Sequence, residues 1–275
     1  MSVDPELPAD EMLADMERFA AALTLDAGSL ALSQFRCGTD IIDKAPTGVP
    51  LDPVTAADRA VEARLRAGIR ERFPDHGVFG EEQAAVEGSS AWSWMIDPID
   101  GTRGFVSGFV HWGMLLALRH HDQPVMGVVH QPFTGEIWMG SRNGARFTRQ
   151  GDAQNLSTRR CSRLAMATLA TTDPYLFEAA EAEVFDALRR SVRLTRFGAD
   201  CYAYCMLAMG QVDLVVESGL KPWDVQALMP LVKAAGGVIT DWRGGDCRDG
   251  GQVVAAGDPA LHGLALSMLA PAAAS

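Results

Sequence analysis

The feature that most constrains this chain is an apolar run, Trp92–Ile96, that stops at the acid-rich turn Asp97–Thr102. The run predicts a buried strand, so Asp97 and Asp100 should lie at the carboxyl end of that strand. Two carboxylates three residues apart repel each other unless a positive charge lies between them. Mg²⁺ takes carboxylate and backbone carbonyl oxygens as ligands, and Ile99 offers such a carbonyl in the same turn. The residue types alone also fit a solvated Asp-Pro/Asp-Gly turn.

Further acids stand at predicted element boundaries elsewhere in the chain. Glu81 and Glu82 follow a short apolar stretch, and Asp224 precedes a helix-like run. Asp58 begins a segment whose apolar residues recur at every fourth position, which predicts a helix. A capping box, with Thr55 as the cap and Asp58 bonding back to it, is the simpler explanation of that pair.

Hydrophobic periodicity predicts two helices and then strands in the first half, and alternating helices and strands in the second half. The predicted helices are 10–33, 55–73, 175–190, 200–209, 223–235 and 259–269. The predicted strands are 92–97, 112–120, 124–131, 135–141, 192–197, 212–217, 237–242 and 252–256. Hairpin-like spacing indicates a mainly antiparallel first sheet, and the alternation indicates an α/β layer. We expect a single domain over 1–275, with an α+β half at about 10–142 and an α/β half at about 143–270.

Composition limits the classes of function. A chain of 275 residues with 48% hydrophobic content can bury a large core. Its 24 basic and 35 acidic residues give a net charge of −11, and no basic cluster indicates a nucleic-acid partner. Five cysteines, an odd number without Cys-x-x-Cys spacing, indicate reduced thiols and a cytoplasmic location. The acidic N-terminus does not resemble a signal peptide, and no apolar run has membrane-spanning length, so we expect no membrane association.

Three motifs occur in a characteristic order: Gly80-Glu81-Glu82, the Asp97–Thr102 turn, and Trp223-Asp224 followed by Gly236-Gly237. Together they resemble the motifs of the inositol monophosphatase family of Mg²⁺-dependent, lithium-sensitive phosphatases. The resemblance extends over about residues 10–270. It implies the layered αβαβα sandwich of the inositol monophosphatase and fructose bisphosphatase type, an α+β and α/β fold that is usually a homodimer. It also implies hydrolysis of a small phosphate monoester by metal-activated water. None of the motif residues is a plausible activated nucleophile, so we expect no phosphoenzyme.

The resemblance assigns a role to each matching position. The implied metal ligands are Glu81, Asp97, Asp100, Asp224 and the Ile99 carbonyl. They would bind two or three Mg²⁺ ions, and Mn²⁺ is a candidate substitute. Asp58 and Thr102 stand where relatives polarise the attacking water, and Glu81 is implied in catalysis with them. The amides of Gly101 and Thr102 would receive the phosphate. Glu82 is either an outer neighbour of the metal ligands or a solvated acid.

The choice of alcohol rests on the segment Arg196–Tyr204, which is closer to histidinol-phosphate phosphatases than to inositol enzymes. By this resemblance Asp200 and Glu217 contact the alcohol part of the substrate, and a carboxylate binds the ammonium group of histidinol phosphate by a charge-assisted hydrogen bond. Asp200 could instead cap the following helix. Two further residues are candidates for the site. Arg103 stands at a position where many inositol-type relatives differ, and Lys44 lies on a Pro/Gly-rich loop. A solvated lysine is an equal alternative at Lys44.

We therefore expect a Mg²⁺-dependent phosphomonoesterase that converts L-histidinol phosphate to L-histidinol and phosphate, a step of histidine biosynthesis. The alternative is an inositol monophosphatase or a broad-specificity sugar phosphatase with the same metal site. A non-catalytic, metal-binding or RNA-associated regulator is the alternative from another class. The intact acids argue against loss of catalysis, and the negative charge argues against RNA.

Overall fold

A computed structural model of the chain describes residues 10–37, 41–43 and 53–274. The helices in these ranges are α1 (Asp10–Gln34), α2 (Ala56–Arg72), α3 (Thr102–Val106), α4 (Ala179–Ser191), α5 (Asp200–Ala208), α6 (Pro222–Val225), α7 (Leu228–Ala234) and α8 (Pro259–Leu269). The strands of the first half are β1 (Ile41–Asp43), β2 (Pro53–Thr55), β3 (Gly77–Gly80), β4 (Trp92–Asp100), β5 (Gly113–His120), β6 (Gln123–Gln131), β7 (Glu136–Ser141), β8 (Gly144–Arg149) and β9 (Asp152–Asn155). Those of the second half are β10 (Thr168–Thr171), β11 (Leu194–Phe197), β12 (Leu214–Leu220), β13 (Val238–Asp241) and β14 (Gly251–Ala256).

Apart from the short β1–β2 pair, the described strands form two sheets. The seven-stranded sheet has the order β3-β4-β5-β6-β7-β8-β9, and only its β3–β4 pair is parallel. The five-stranded sheet has the order β11-β10-β12-β14-β13, with β10 parallel to both of its neighbours. The mainly antiparallel first sheet is thus confirmed.

Alternating side chains give each sheet two apolar faces. In the seven-stranded sheet Trp94 and Leu116 face a core shared with α1 and α2, whereas Met95 and Leu115 face a core shared with α5 and α7. Because successive strand residues point to opposite faces, helices must cover both sides of such a sheet.

The five-stranded sheet repeats this arrangement. Val215 of β12 faces the core that contains α5 and α7, and Leu214 and Val216 face a third core with α4 and α8. The layers therefore run α1/α2, seven-stranded sheet, α5/α7, five-stranded sheet, α4/α8. This order confirms the αβαβα sandwich.

Several predicted boundaries were wrong. The strand predicted to end at Asp97 continues to Asp100, and its register against β5 shifts between those two residues. The helix predicted at 223–235 is divided into α6 and α7, because Pro230 has no N–H to donate to the carbonyl four residues earlier. The helix predicted from residue 175 begins at Ala179, after a 3₁₀ turn over Pro174–Leu176.

Strands β2, β3, β8, β9 and β10 lie outside the predicted strands. Because β8 and β9 extend the first sheet to Asn155, we propose that the two halves of a single domain meet after that residue and not near 142. None of the described helices combines the length and apolar character that a membrane crossing requires.

Candidate metal centre and active site

Three carboxylates meet at the carboxyl end of β4. One oxygen from each of Asp97, Asp100 and Asp224 lies within 4.8 Å of the other two. In a regular strand Asp97 and Asp100 would point to opposite faces, but the register shift between them lets both point to the same side. Asp224 comes from α6, which packs against β4.

Burial and mutual repulsion both disfavour the charged form of Asp97 and Asp100. Burial raises the pKa of Asp97 well above its ordinary value, and the negative charge of Glu81 and then that of Asp100 raise it further. Burial also raises the pKa of Asp100, followed by the charge of Asp200. A bound cation would relieve both effects, and an all-oxygen donor set is the ligand chemistry of Mg²⁺ and Mn²⁺. The residues present therefore fit such a metal.

Asp58 forms the predicted capping box with one oxygen only. Its Oδ2 accepts hydrogen bonds from Thr55 N at 2.7 Å and from Thr55 Oγ1 at 2.6 Å. Its Oδ1 is buried without a hydrogen-bond partner among the described residues. Burial raises the pKa of this carboxyl group, and the charge of Glu82 adds a smaller rise. Helix capping therefore leaves one oxygen of Asp58 free to accept a proton.

Thr102 supports the Ile99 carbonyl. The Thr102 hydroxyl donates a hydrogen bond to Ile99 O at 2.9 Å. A carbonyl oxygen has two lone pairs, so one remains for a cation.

Gly101 is the residue that allows the chain to turn from β4 into α3. Its φ of +81° is left-handed, and a Cβ there would lie 2.7 Å from His111 O and 3.2 Å from Asp200 Cγ. The first N–H groups of a helix have no partner within it. The assignment of the Gly101 and Thr102 amides to phosphate remains a prediction.

Asp200 lines the cavity and does not cap its helix. The N-cap of α5 is Ala199, and no side-chain cap bond forms there, so the capping alternative is wrong. The backbone φ of Asp200 is +46°, a strained conformation of the kind that clusters at functional sites. Burial raises the pKa of Asp200 to about 6, although the positive charge of Arg103 opposes this.

Glu217 is held by the carboxyl end of β10. It accepts hydrogen bonds from Thr171 Oγ1 at 3.2 Å, Thr172 N at 2.8 Å and Thr172 Oγ1 at 3.0 Å. Burial nevertheless raises the pKa of Glu217 to about 8. Sequence reasoning missed Thr171 and Thr172 because it did not predict β10, although two adjacent hydroxyl residues were a visible signal.

Most of the predicted site residues line one cavity of about 330 Å³ between the carboxyl ends of β4 and β12. They are Glu81, Asp97, Ile99, Asp100, Gly101, Thr102, Arg103, Asp200, Glu217 and Asp224. Arg103 Nη1 lies 3.7 Å from Asp173 Oδ2, and Lys221, which sequence reasoning did not select, adds a second cation to the lining. Asp58 and Glu82 lie outside this lining. Lys44 lies outside the described residues.

Comparisons with known proteins agree with this geometry. Residues 12–273 match the model of the inositol monophosphatase family. The bifunctional phosphatase IMPL2, chloroplastic, of Arabidopsis thaliana is 38% identical over 98% of this chain and 80% of its own length. The histidinol-phosphatase of Mycobacterium tuberculosis is 34% identical over 91% of this chain and 96% of its own length. An inositol monophosphatase structure from Zymomonas mobilis has a TM-score of 0.82 at 39% identity, covering 94% of this chain and 98% of that one. The chain therefore belongs to the inositol monophosphatase family and is a phosphoric monoester hydrolase.

Proposed function

We propose that this chain is a Mg²⁺-dependent phosphatase that hydrolyses L-histidinol phosphate to L-histidinol and phosphate, a step of histidine biosynthesis. The observation that carries the proposal is that Asp200 and Glu217 line the same cavity as Asp97, Asp100 and Asp224. A metal-loaded acid cluster attracts phosphate, and a carboxylate without a metal, such as Asp200, attracts an amine. The cavity thus suits a substrate that carries both groups.

Mg²⁺ is assigned to the oxygens of Asp97, Asp100 and Asp224, with Glu81 and the Ile99 carbonyl completing the donor set for two or three ions. Bound Mg²⁺, or Mn²⁺ in its place, acidifies water and neutralises charge on the phosphate and on the leaving oxygen.

The protein's own groups orient the reactants around that centre. The free Oδ1 of Asp58 is assigned to accept a proton from water, because it is buried and has no other partner among the described residues. The Thr102 hydroxyl is assigned to orient the same water through its oxygen lone pairs, since its own proton is donated to Ile99 O. The amides of Gly101 and Thr102 are assigned to the phosphate oxygens. Arg103, which also lines the cavity, is assigned to add positive charge there.

The alcohol part of the substrate is assigned to Asp200 and Glu217. Asp200 is assigned as the carboxylate that binds the ammonium, because burial raises the pKa of Glu217 to about 8 and leaves Glu217 protonated at neutral pH. Histidinol phosphate carries an ammonium group and an imidazole, whereas inositol carries only hydroxyl groups. A carboxylate binds an ammonium by a charge-assisted hydrogen bond, which is about twice as strong as a neutral one. The name of the Mycobacterium tuberculosis relative, histidinol-phosphatase, supports this choice.

Measuring kcat/KM on histidinol phosphate and on inositol 1-phosphate tests the proposal. The wild-type enzyme should prefer histidinol phosphate, and Asp200→Asn should raise KM for histidinol phosphate by about 10-fold or more, as expected for a lost charge-assisted hydrogen bond. KM for inositol 1-phosphate should change far less. Asp152→Asn, at an exposed position on β9, is the matched control and should change neither. Equal effects of Asp200→Asn on both substrates would remove the argument for an amine.

The second candidate is an inositol monophosphatase or a sugar phosphatase of broad specificity. The similarity to the Zymomonas mobilis inositol monophosphatase favours it, and Asp200 and Glu217 could then accept hydrogen bonds from substrate hydroxyls. A higher kcat/KM on inositol 1-phosphate than on histidinol phosphate would establish this alternative.

We also propose a cytoplasmic homodimer without a nucleic-acid partner. All five cysteines are unpaired, which fits a reducing compartment. Leu194 and Phe197 on the edge strand β11, and Tyr175 in the turn after β10, expose large apolar surfaces. Such surfaces often form interfaces. Light scattering should give twice the 29.5 kDa chain mass, and a mass of one chain would contradict the dimer.

A further inference from the structure

The loop that carries Glu81 is closed at its base. Val78 N donates to Val86 O at 2.8 Å, and Val86 N donates to Val78 O at 2.9 Å. Residues 79–85 therefore form a closed loop, with Glu81 near its start.

Glu62, in the second turn of α2, holds the backbone on either side of Glu81. The Glu62 carboxylate is fully buried, and it accepts hydrogen bonds from Glu82 N at 2.7 Å and Gln83 N at 3.1 Å. On the other side of Glu81, a Cβ added to Gly80 would lie only 2.6 Å from Glu62 Oε1. The carboxylate is thus packed directly against the backbone both before and after Glu81.

Arg66, one turn further along α2, completes this arrangement. Its Nε donates to Glu62 Oε1 at 2.7 Å, and its Nη atoms donate to the carbonyls of Gln83 at 3.0 Å, Ala84 at 3.2 Å and Val78 at 3.3 Å. Arg66 is only 3% exposed. Together Glu62 and Arg66 form a clamp, the Glu62–Arg66 clamp, on loop 79–85.

A buried ion pair is a poor way to gain stability alone. The desolvation of two charges offsets most of their attraction, and apolar residues of similar size often stabilise a core as well or better. The segment from Gln83 to Ser90, which includes the second part of loop 79–85, is exposed. Water could therefore bind the backbone groups of this segment in place of the Glu62–Arg66 clamp. The clamp therefore fixes the backbone conformation on both sides of Glu81.

We propose that Glu62 and Arg66 are positioning residues that hold Glu81 in place for metal binding. The inference rests on the proposed function, because it takes Glu81 as a Mg²⁺ ligand. Asp58, Glu62 and Arg66 are spaced four residues apart on α2, so one buried helix face fixes both Asp58 and the Glu81 loop. Without the clamp, binding Mg²⁺ would also have to order the loop, and the affinity for Mg²⁺ would fall.

Calorimetric Mg²⁺ titration of the purified full chain tests this proposal. Glu62→Gln should weaken Mg²⁺ binding about 10-fold to 100-fold, the usual effect of removing a group that supports a metal ligand. Asp213→Asn is the matched control, because Asp213 is equally buried and accepts hydrogen bonds from Arg159 at 3.0 and 2.6 Å and from Thr168 N at 2.7 Å. Both variants should lower the melting temperature, but Asp213→Asn should bind Mg²⁺ like the wild type.

Gly80→Ala provides a second variant if Glu62→Gln does not fold. It keeps both charges of the clamp, but the new Cβ would push Glu62 away from the loop, so Mg²⁺ binding should weaken here too. Hydrogen exchange at the amides of Glu82 and Gln83 should become faster in Glu62→Gln and stay unchanged in Asp213→Asn.

A double-mutant cycle with Glu81→Gln separates the positioning role from the proposed function. If Glu62 acts through Glu81, adding Glu62→Gln to Glu81→Gln should weaken Mg²⁺ binding no further. If Glu81→Gln weakens Mg²⁺ binding but neither Glu62→Gln nor Gly80→Ala does, the positioning proposal is wrong and the metal assignment stands. If Glu81→Gln binds Mg²⁺ like the wild type, Glu81 is not a ligand and both proposals are wrong at this residue.

Discussion

Replacing Glu217 by Gln is expected to stabilise the metal-free protein at neutral pH. Burial raises the pKa of Glu217 to about 8, from an ordinary value of 4.5. Between these pH values the native state holds one proton more than the unfolded state, so the free energy of unfolding falls as the pH rises. At pH 7 this loss is about 3 kcal/mol, because pH 7 is about 2.5 units above the unfolded pKa and each unit corresponds to about 1.4 kcal/mol.

Gln cannot ionise, so the variant avoids this loss. Its carbonyl can still accept the hydrogen bonds from Thr172, and its amide can donate to the hydroxyl of Thr171. Urea unfolding in EDTA should therefore show a gain of about 3 kcal/mol at pH 7 and under about 1 kcal/mol at pH 5. Glu183→Gln, an exposed control on α4, should change stability at neither pH. An equal difference at both pH values, or a less stable Glu217→Gln at pH 7, would refute the reasoning.

Three further changes have clear expected outcomes. Asp97→Asn should nearly abolish phosphate release while the circular dichroism spectrum stays native, and retained turnover would contradict the metal assignment. Burial lowers the pKa of His130 to about 4. Between pH 4 and about 6.5, His130 is therefore protonated only in the unfolded state. The free energy of unfolding should fall by up to about 3 kcal/mol as the pH drops through this window. His130→Gln should flatten this dependence in urea unfolding, and parallel pH profiles would exclude His130 as its source. Gly127→Ala should destabilise the fold by about 3 kcal/mol or more, because the new Cβ would lie 1.8 Å from Ala227 O. Gly263→Ala meets nothing within 4 Å on α8 and should raise the melting temperature slightly, so equal effects of the two glycine variants would contradict the packing argument.

The sequence predicted the long elements well because their apolar periodicity is strong. The helices α1 and α2 and the strands β5 to β7 lie within a residue or two of the predicted ranges. The four-residue strand β10 was missed because Thr168–Thr171 is too short to show a period. Helix α6 was merged with α7 because periodicity does not register the missing N–H of Pro230.

The residues of the site also fall into those that the sequence predicted and those that it did not. Residues in compact motifs, such as Asp97 and Asp224, were predicted from those motifs and from the family resemblance that they carry, and the fold does bring them together. Glu62 and Arg66 escaped notice because an acid and a base four residues apart on a helix usually form an exposed pair. Their burial depends on loop 79–85 folding over α2, a tertiary contact that helical periodicity does not reveal.

Phosphate release from histidinol phosphate before and after metal removal tests the central claim most directly. The enzyme is treated with EDTA, dialysed, assayed, and then assayed again as Mg²⁺ is added back. We expect no measurable release without metal and full recovery with Mg²⁺, because the cluster of Asp97, Asp100 and Asp224 repels phosphate until a cation neutralises it. Unchanged hydrolysis in EDTA, or no hydrolysis of histidinol phosphate with Mg²⁺ present, would contradict the account.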